Sequence, residues 1–221
     1  SELVLGEAAT IIRKGPRLEN PGNLAALLTA HAGEVLLDPG PKSQLAESKL
    51  EPRTLYLQRE ADYLLNALKL DWVVKSDADE LEAVFRVLCD RMAADEDELE
   101  PEGFFKQIIE RERAGPTTLG HGVALPHTKV QGLSRTVCGI ALIPHGIPVA
   151  ASDEEPIRLI FLLASPPDLP EMHLAVLGEI ARLCADAEVR QQLMEAEDPR
   201  EVLPLIRRYR RLHTPFADAR S

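Results

Sequence analysis

The chain predicts an α/β fold: a mixed β-sheet flanked by helices on both faces, with an N-terminal extension ahead of it. Three observations carry this. From about Ala61 onward, strand-like and helix-like segments alternate. Ile157 to Ala164 is almost continuously apolar, as in a central strand covered on both faces. Residues 136 to 143 are a second β-rich run, joined to the first by a loop, so that the two read as a strand pair within a mixed sheet.

With 221 residues, 45% of them hydrophobic, the chain can bury one substantial core and has room for a second small unit. Aromatic residues make up 4%, so the core must come from Leu, Ile, Val and Ala. The formal charge of −11 argues against non-specific nucleic-acid binding. Cys89, Cys138 and Cys184 are widely spaced, with no CxxC pair, and suggest neither a zinc site nor a disulfide framework. Each sits among apolar neighbours, as a small buried hydrophobe would. No apolar run reaches the about 18 residues of a membrane span, and no signal peptide is visible. The expectation is a reducing, cytoplasmic setting without membrane insertion.

Residues 1 to 60 read as an extension. Pro16, Pro21, Pro41 and Pro52, with Gly15, Gly22, Gly33 and Gly40, break it into short pieces, including a helix candidate at 24–31 and a strand candidate at 34–37. No piece buries much area alone, so this region is expected to pack on a neighbour or stay partly loose. His31 within it is read as incidental. Residues 70 to 74 are the next strand candidate. Asp77 and Asp79 are candidate caps for a helix whose apolar positions Leu81, Val84, Phe85, Leu88 and Cys89 recur at helical spacing. The acidic run from Asp95 to Glu102 reads as a solvated loop rather than a metal site. Pro101 suits the first turn of a helix that turns Phe104, Phe105, Ile108 and Ile109 inward and stops at Gly115-Pro116.

Beyond the strand at 136–143, residues 144 to 148 read as a turn containing His145, and 152 to 156 as an acidic loop. Pro166-Pro167 ends the central strand. Helices are expected at 172–185, 189–196 and 199–207. Arg207, Arg208, Arg210 and Arg211 read as a solvated cluster suited to a helix C-terminus.

The candidate chemistry centres on Thr118-Leu119-Gly120-His121-Gly122-Val123-Ala124-Leu125-Pro126-His127-Thr128. Pro126 pushes Leu125 toward extended backbone. Val123 to Leu125 then reads as a buried strand, with His127 the first side chain beyond its end, where α/β sheets build their sites. An imidazole there can be a nucleophile, a general base or a metal ligand, or can simply end a strand. His173 opens a helix after Pro170-Glu171, and a helix start suits an anion. Arg111, at the end of the earlier helix, offers a bidentate cation. Thr117, Thr118 and Thr128 add hydroxyl donors. Imidazole, guanidinium, hydroxyls and helix amides together fit a phosphoryl site. Zinc lacks a third ligand at helical spacing, and a Ser-His-Asp hydrolase lacks its G-x-S-x-G elbow. No metal and no cofactor is expected.

Arg111-Glu112-Arg113, followed by Leu119-Gly120-x-Gly122-Val123-Ala124-Leu125-Pro126-His127, resembles the IIA domain of the fructose/mannitol class (EIIA type 2) of the bacterial sugar phosphotransferase system, and most of all its nitrogen-regulatory branch. Ile157 to Ala164 and then His173-Leu174-x-x-Leu177-x-x-Ile180-Ala181-Arg182-Leu183 match as well, as does the end from Asp198 to Ile206. The resemblance covers roughly residues 62 to 208 and divides the chain into an extension at 1–60, an EIIA type-2 domain at 61–211 and a tail at 212–221 that holds His213. It implies His127 as phosphoryl acceptor, His173 as a supporting histidine and Arg111 near the phosphate. The implied donor is the phosphorylated carrier HPr or its nitrogen-branch counterpart NPr. The implied next partner is an EIIB component or a regulatory protein target.

Three departures stand out. His121 occupies a place where Asn or another small polar residue is typical, Thr128 a place where Gly is usual, and residues 1 to 60 have no counterpart. Thr118, His121 and Thr128 are secondary site candidates. Two functions follow from the resemblance. One is a phosphocarrier that loads His127 and passes the group on or uses it for signalling. The other is a regulatory binding module whose phosphorylation gates contact with a protein target. No IIB or IIC sequence accompanies the domain, so this chain alone is expected to move no sugar.

Overall fold

The computed structural model describes residues 62–149 and 155–213. The candidates at 24–31 and 34–37, and most of the loop at 152–156, lie outside the described residues. A short helix, α1 (Tyr63–Ala67), leads into β1 (Leu68–Lys75), a longer strand than its sequence candidate. Helix α2 (Leu81–Ala93) follows. Its N-cap is Glu80, which makes no side-chain capping bond, so neither Asp77 nor Asp79 caps it as expected. Helix α3 (Pro101–Ala114) starts on its proline, and the Glu100 carboxylate accepts from the N–H groups of Glu102 and Gly103. Phe104, Ile108 and Ile109 are buried, whereas Phe105 is half-buried and lies under the Arg86 guanidinium, 4.0 Å from its ring centroid.

The acidic run ahead of α3 is more than a solvated loop. Glu96 pairs with Arg135, and Glu98 accepts from the Ser134 N–H and hydroxyl at 2.7 and 2.8 Å. These bonds tie the run to the segment entering the sheet.

The sheet comprises β1, β2 (Thr118–Gly120), β3 (Val123–Ala124), β4 (His127–Lys129), β5 (Val137–Ile147) and β6 (Ile157–Ser165). Their order is β1-β5-β6-β3-β2, with β4 also paired to β6. β5 and β6 are antiparallel, whereas β3 and β4 run parallel to β6, so the sheet is mixed. β6 lies centrally, as its apolar run required. β5 continues through Pro144 and His145, where a turn was expected. A bulge with Gly146 at φ 73° absorbs the proline, and pairing resumes at Ile147 with Ile157.

Helices α4 (Pro170–Ala185) and α5 (Ala187–Glu195), a 3₁₀ turn (Pro199–Glu201) and α6 (Val202–His213) complete the described chain. Two apolar layers sandwich the sheet. Cys138, Ile140, Leu159, Phe161 and Leu163 meet Val176, Leu177 and Ile180 of α4 on one face. Ala141, Ile143, Ile160, Leu162 and Ala164 meet Val84, Leu88, Phe104 and Ile108 of α2 and α3 on the other. Each fully buried Leu, Ile or Phe contributes about 2 kcal/mol. Arg210 departs from the solvated cluster predicted for it. Its guanidinium pairs with Asp62 and donates to the buried Glu179 at 2.7 Å, while Glu179 also accepts from the Leu64 N–H at 2.8 Å. The start and end of the described domain are thereby held together.

Candidate functional site

His127 does not stand beyond a strand end. Pro126 interrupts the strand but not its register. Val123 and Ala124 pair with Leu159 and Ile160, and His127, Thr128 and Lys129 pair with Leu163, Ala164 and Ser165. Pro126 has no N–H to give, but its carbonyl still accepts from Leu163 N–H at 2.9 Å, so the ladder continues. His127 thus begins β4, on the same sheet face as its partner Leu163, which packs toward α4.

His173 lies in the first turn of α4, its N–H donating to Leu169 O at 3.3 Å. That turn brings its ring over the same sheet face. The imidazoles of His127 and His173 sit 5.5 Å apart, centroid to centroid, with their planes at 57°. Both residues are 2% exposed. The sequence pairing of these two histidines is therefore realised in space, inside the fold rather than on an open edge.

Backbone and side-chain bonds hold each ring. His127 Nδ1 lies 2.8 Å from Leu125 O. A carbonyl only accepts, so Nδ1 carries a proton, and in the neutral ring Nε2 bears the lone pair. Leu125 is itself fixed, since its N–H donates to Thr117 O at 2.8 Å. Thr117 in turn donates its N–H and hydroxyl to the Glu112 carboxylate at 3.1 and 2.6 Å. On the other ring, His173 Nδ1 lies 2.9 Å from the Ser165 hydroxyl, which also receives a bond from Thr136 Oγ1 at 3.3 Å. Ser165, Thr117 and Thr136 are buried.

Sequence reasoning singled out Thr117 only as a hydroxyl donor, and missed Glu112, Ser165 and Thr136. Glu112 was hidden in an alternating charge run, and Ser165 looked like the polar end of an apolar strand. A signal existed for Ser165: a hydroxyl just before the Pro-Pro that ends the central strand.

The other predicted residues are distributed differently. Arg111 is half-buried at the end of α3, and among the described residues its hydrogen bond is to Gly115 O at 3.1 Å, closing its own helix. Thr128 alternates with His127 and pairs with Ala164, so it sits on the α2–α3 side of the sheet. Thr118 pairs with Ala124 from β2. His121 and Gly122 form the β2–β3 hairpin turn at φ 52° and 71°, the positive pair of a type I′ turn. That turn lies beside Arg158 and Leu159 at the start of β6, roughly 15 Å along the strand from Leu163, the partner of His127. The structure brings His127 and His173 together and leaves His121 apart from them.

The three thiols sit elsewhere in the core. Burial pushes Cys89 and Cys184 up to about 12 and Cys138 higher still, so none is a thiolate near neutral pH. Among the described residues no three His, Cys, Asp or Glu side chains come together to hold a metal ion, and no helix is long and apolar enough to cross a membrane.

Residues 68–209 match the family model for the phosphoenolpyruvate-dependent sugar phosphotransferase system, EIIA 2. The chain is similar to a nitrogen regulatory protein of Bradyrhizobium diazoefficiens, 31% identical over 102 residues that make up 46% of this chain and 67% of the relative. It is also similar to a fructose-specific EIIA component of Haloferax volcanii, 33% identical over 99 residues, 45% of this chain and 64% of that protein. Among solved structures, nitrogen regulatory protein IIA-Ntr from Neisseria meningitidis superposes with a TM-score of 0.59 at 25% identity, covering 64% of this chain and 97% of its own.

Proposed function

The chain belongs to the EIIA 2 family of the phosphoenolpyruvate-dependent sugar phosphotransferase system, and on that premise we propose that it is a phosphocarrier whose His127 Nε2 accepts the phosphoryl group. The observation that carries this reading is the bond from His127 Nδ1 to Leu125 O at 2.8 Å. It reserves Nδ1 for a proton and leaves the Nε2 lone pair as the nucleophile.

In the transfer, the donor's phosphohistidine N–P bond breaks as a new N–P bond forms at His127 Nε2. The donor imidazole keeps its own ring proton, and His127 keeps the one on Nδ1. The product ring carries positive charge, which Leu125 O stabilises through that same bond. No proton crosses between the rings, so the step can run in either direction. His173, whose ring centroid lies 5.5 Å from that of His127, supports the group. Arg111 would leave Gly115 O to meet the phosphoryl oxygens as a bidentate donor. Because both imidazoles are 2% exposed, loading needs the covering side chains to move when the donor docks. HPr or an NPr-like carrier is the proposed donor. An EIIB component or a regulatory target is the proposed recipient.

Incubation with a phosphorylated donor tests this. The reading expects acid-labile, base-stable label on the full chain and none on His127→Ala. Absence of label, or undiminished label in His127→Ala, would overturn it.

A second reading is favoured by the nitrogen-regulatory relatives: phosphorylation gates binding to a protein target rather than feeding a transporter. Adding about two negative charges at this face would change its electrostatics enough to do so. A pull-down with the wild type, His127→Ala and a chain lacking residues 1–60 tests it. Partners that differ among the three support gating, and identical partners reject it.

A further inference from the structure

We infer that Ser165 is a positioning residue that sets the tautomer of His173, leaving the proton of that ring on Nε2, opposite to the arrangement in His127. The role at a phosphoryl group rests on the proposed phosphocarrier reading; the tautomer itself does not.

Three polar side chains form a hydrogen-bonded chain in an otherwise apolar layer. Thr136 Oγ1 donates to Ser165 Oγ at 3.3 Å, and Ser165 Oγ lies 2.9 Å from His173 Nδ1. Ser165 is 0% exposed and Thr136 5% exposed, so water does not compete for these groups. A serine hydroxyl has one proton to give. With its oxygen accepting from Thr136, that proton goes to its other neighbour, His173 Nδ1. The nitrogen is then an acceptor, and the neutral ring carries its hydrogen on Nε2.

Ser165 is held for this task by backbone on both sides. It ends β6, its carbonyl accepts from Val130 N–H at 2.9 Å, and it pairs with Lys129 of β4. Thr136 immediately precedes β5, where Val137 pairs with Ala164. The hydroxyl is thus placed by two neighbouring strands, not by a mobile loop.

The two rings are consequently of opposite kind. His127 has Nδ1–H on a carbonyl and a lone pair at Nε2. His173 has an acceptor Nδ1 on a hydroxyl and a proton at Nε2. One ring can attack phosphorus while the other donates a hydrogen bond to a phosphoryl oxygen. Two rings of the first kind would turn two lone pairs toward one anion, which repels it.

Long-range ¹H–¹⁵N correlation of the full chain at a pH where both histidines are neutral reads the tautomers directly. The expected result is a protonated Nδ1 in His127 and an unprotonated Nδ1 in His173. In Ser165→Ala, His173 is expected to shift to a mixture of tautomers, and the rate of loading from a phosphorylated donor to fall on the order of tenfold. Ser165→Thr, which restores the hydroxyl, is expected to recover both. Thr136→Val removes the far end of the relay and is expected to move the tautomer in the same direction, which keeps the test decisive if Ser165→Ala does not fold. A protonated Nδ1 in wild-type His173, or an unchanged tautomer in folded Ser165→Ala or Thr136→Val, would overturn the inference. A wild type that takes no label would overturn the phosphocarrier reading instead, with the tautomer still decided by the spectra.

Discussion

The rings of His127 and His173 lie 5.5 Å apart at an angle of 57°, one on a strand and the other in the first turn of a helix that packs on that strand's face. Each ring is held at Nδ1 by a different partner, the Leu125 carbonyl for His127 and the Ser165 hydroxyl for His173. The division of labour proposed for them makes unequal demands on the two side chains.

Replacing His127 with Ala is therefore expected to abolish loading, whereas His173→Ala is expected to slow it by on the order of 100-fold and leave some acceptor capacity. Single-turnover transfer from a phosphorylated donor, followed by quench and phosphohistidine quantitation, checks this. Equal and complete loss in both variants contradicts the division.

Burial separates these rings from the other described histidines. His145 and His213 are exposed and His121 is half-buried, while His127 and His173 are 2% exposed. Diethylpyrocarbonate followed by peptide mapping is expected to modify His145 and His213 first. Fast modification of His127 in the free protein would show that no movement is needed for loading.

Much of the architecture was legible because apolar runs are local. Ile157 to Ala164 announced β6, and the helical spacing of Val84, Phe85 and Leu88 announced α2. The failures arose where tertiary context overrides a local signal. Pro126 and Pro144 read as breaks, yet one is absorbed by a carbonyl that still accepts and the other by a bulge at Gly146. His127 and His173 could be named from their places at element boundaries, and the resemblance added the roles proposed for them. Glu112 and Ser165 could not, because their importance lies in which backbone or ring they touch. The hairpin turn also gives a physical reason why Asn is typical of the family at position 121 and why His there carries a cost. Position 121 has φ 52°, a conformation Asn tolerates better than His.

That turn yields a stability prediction. His121→Asn is expected to stabilise the fold by about 0.5 kcal/mol by relieving the left-handed residue. Gly122→Ala is expected to cost about 3 kcal/mol, since its Cβ would lie 2.7 Å from Pro156 O at a φ of 71°. Denaturant melts of both variants check the pair; a neutral Gly122→Ala would refute the close approach.

Glu179 gives another. Its carboxylate serves both Leu64 N–H and Arg210 from a site 7% exposed. Glu179→Ala is expected to cost about 2 kcal/mol by leaving a buried amide and a guanidinium without that acceptor. Hydrogen exchange should speed up at Leu64 before it does in β6. Uniform acceleration would mean that the contact does not act locally.

The buried thiols set an alkaline limit. In the unfolded chain cysteines ionise from about 9.0, whereas Cys89 and Cys184 in the fold hold their protons to about 12. Their contribution is present below 9.0 and is lost as pH rises from there toward about 12. Stability is expected to fall across that window, and less steeply in Cys89→Ala and Cys184→Ala. Identical slopes in wild type and variants would contradict the assignment.

The most direct measurement is nitrogen-resolved: phosphorylate the uniformly ¹⁵N-labelled chain and find, by ³¹P–¹⁵N coupling, which ring atom bears phosphorus. The expected atom is Nε2 of His127, with Nδ1 still protonated against Leu125 O. Phosphorus on His127 Nδ1, or on His173, would contradict it.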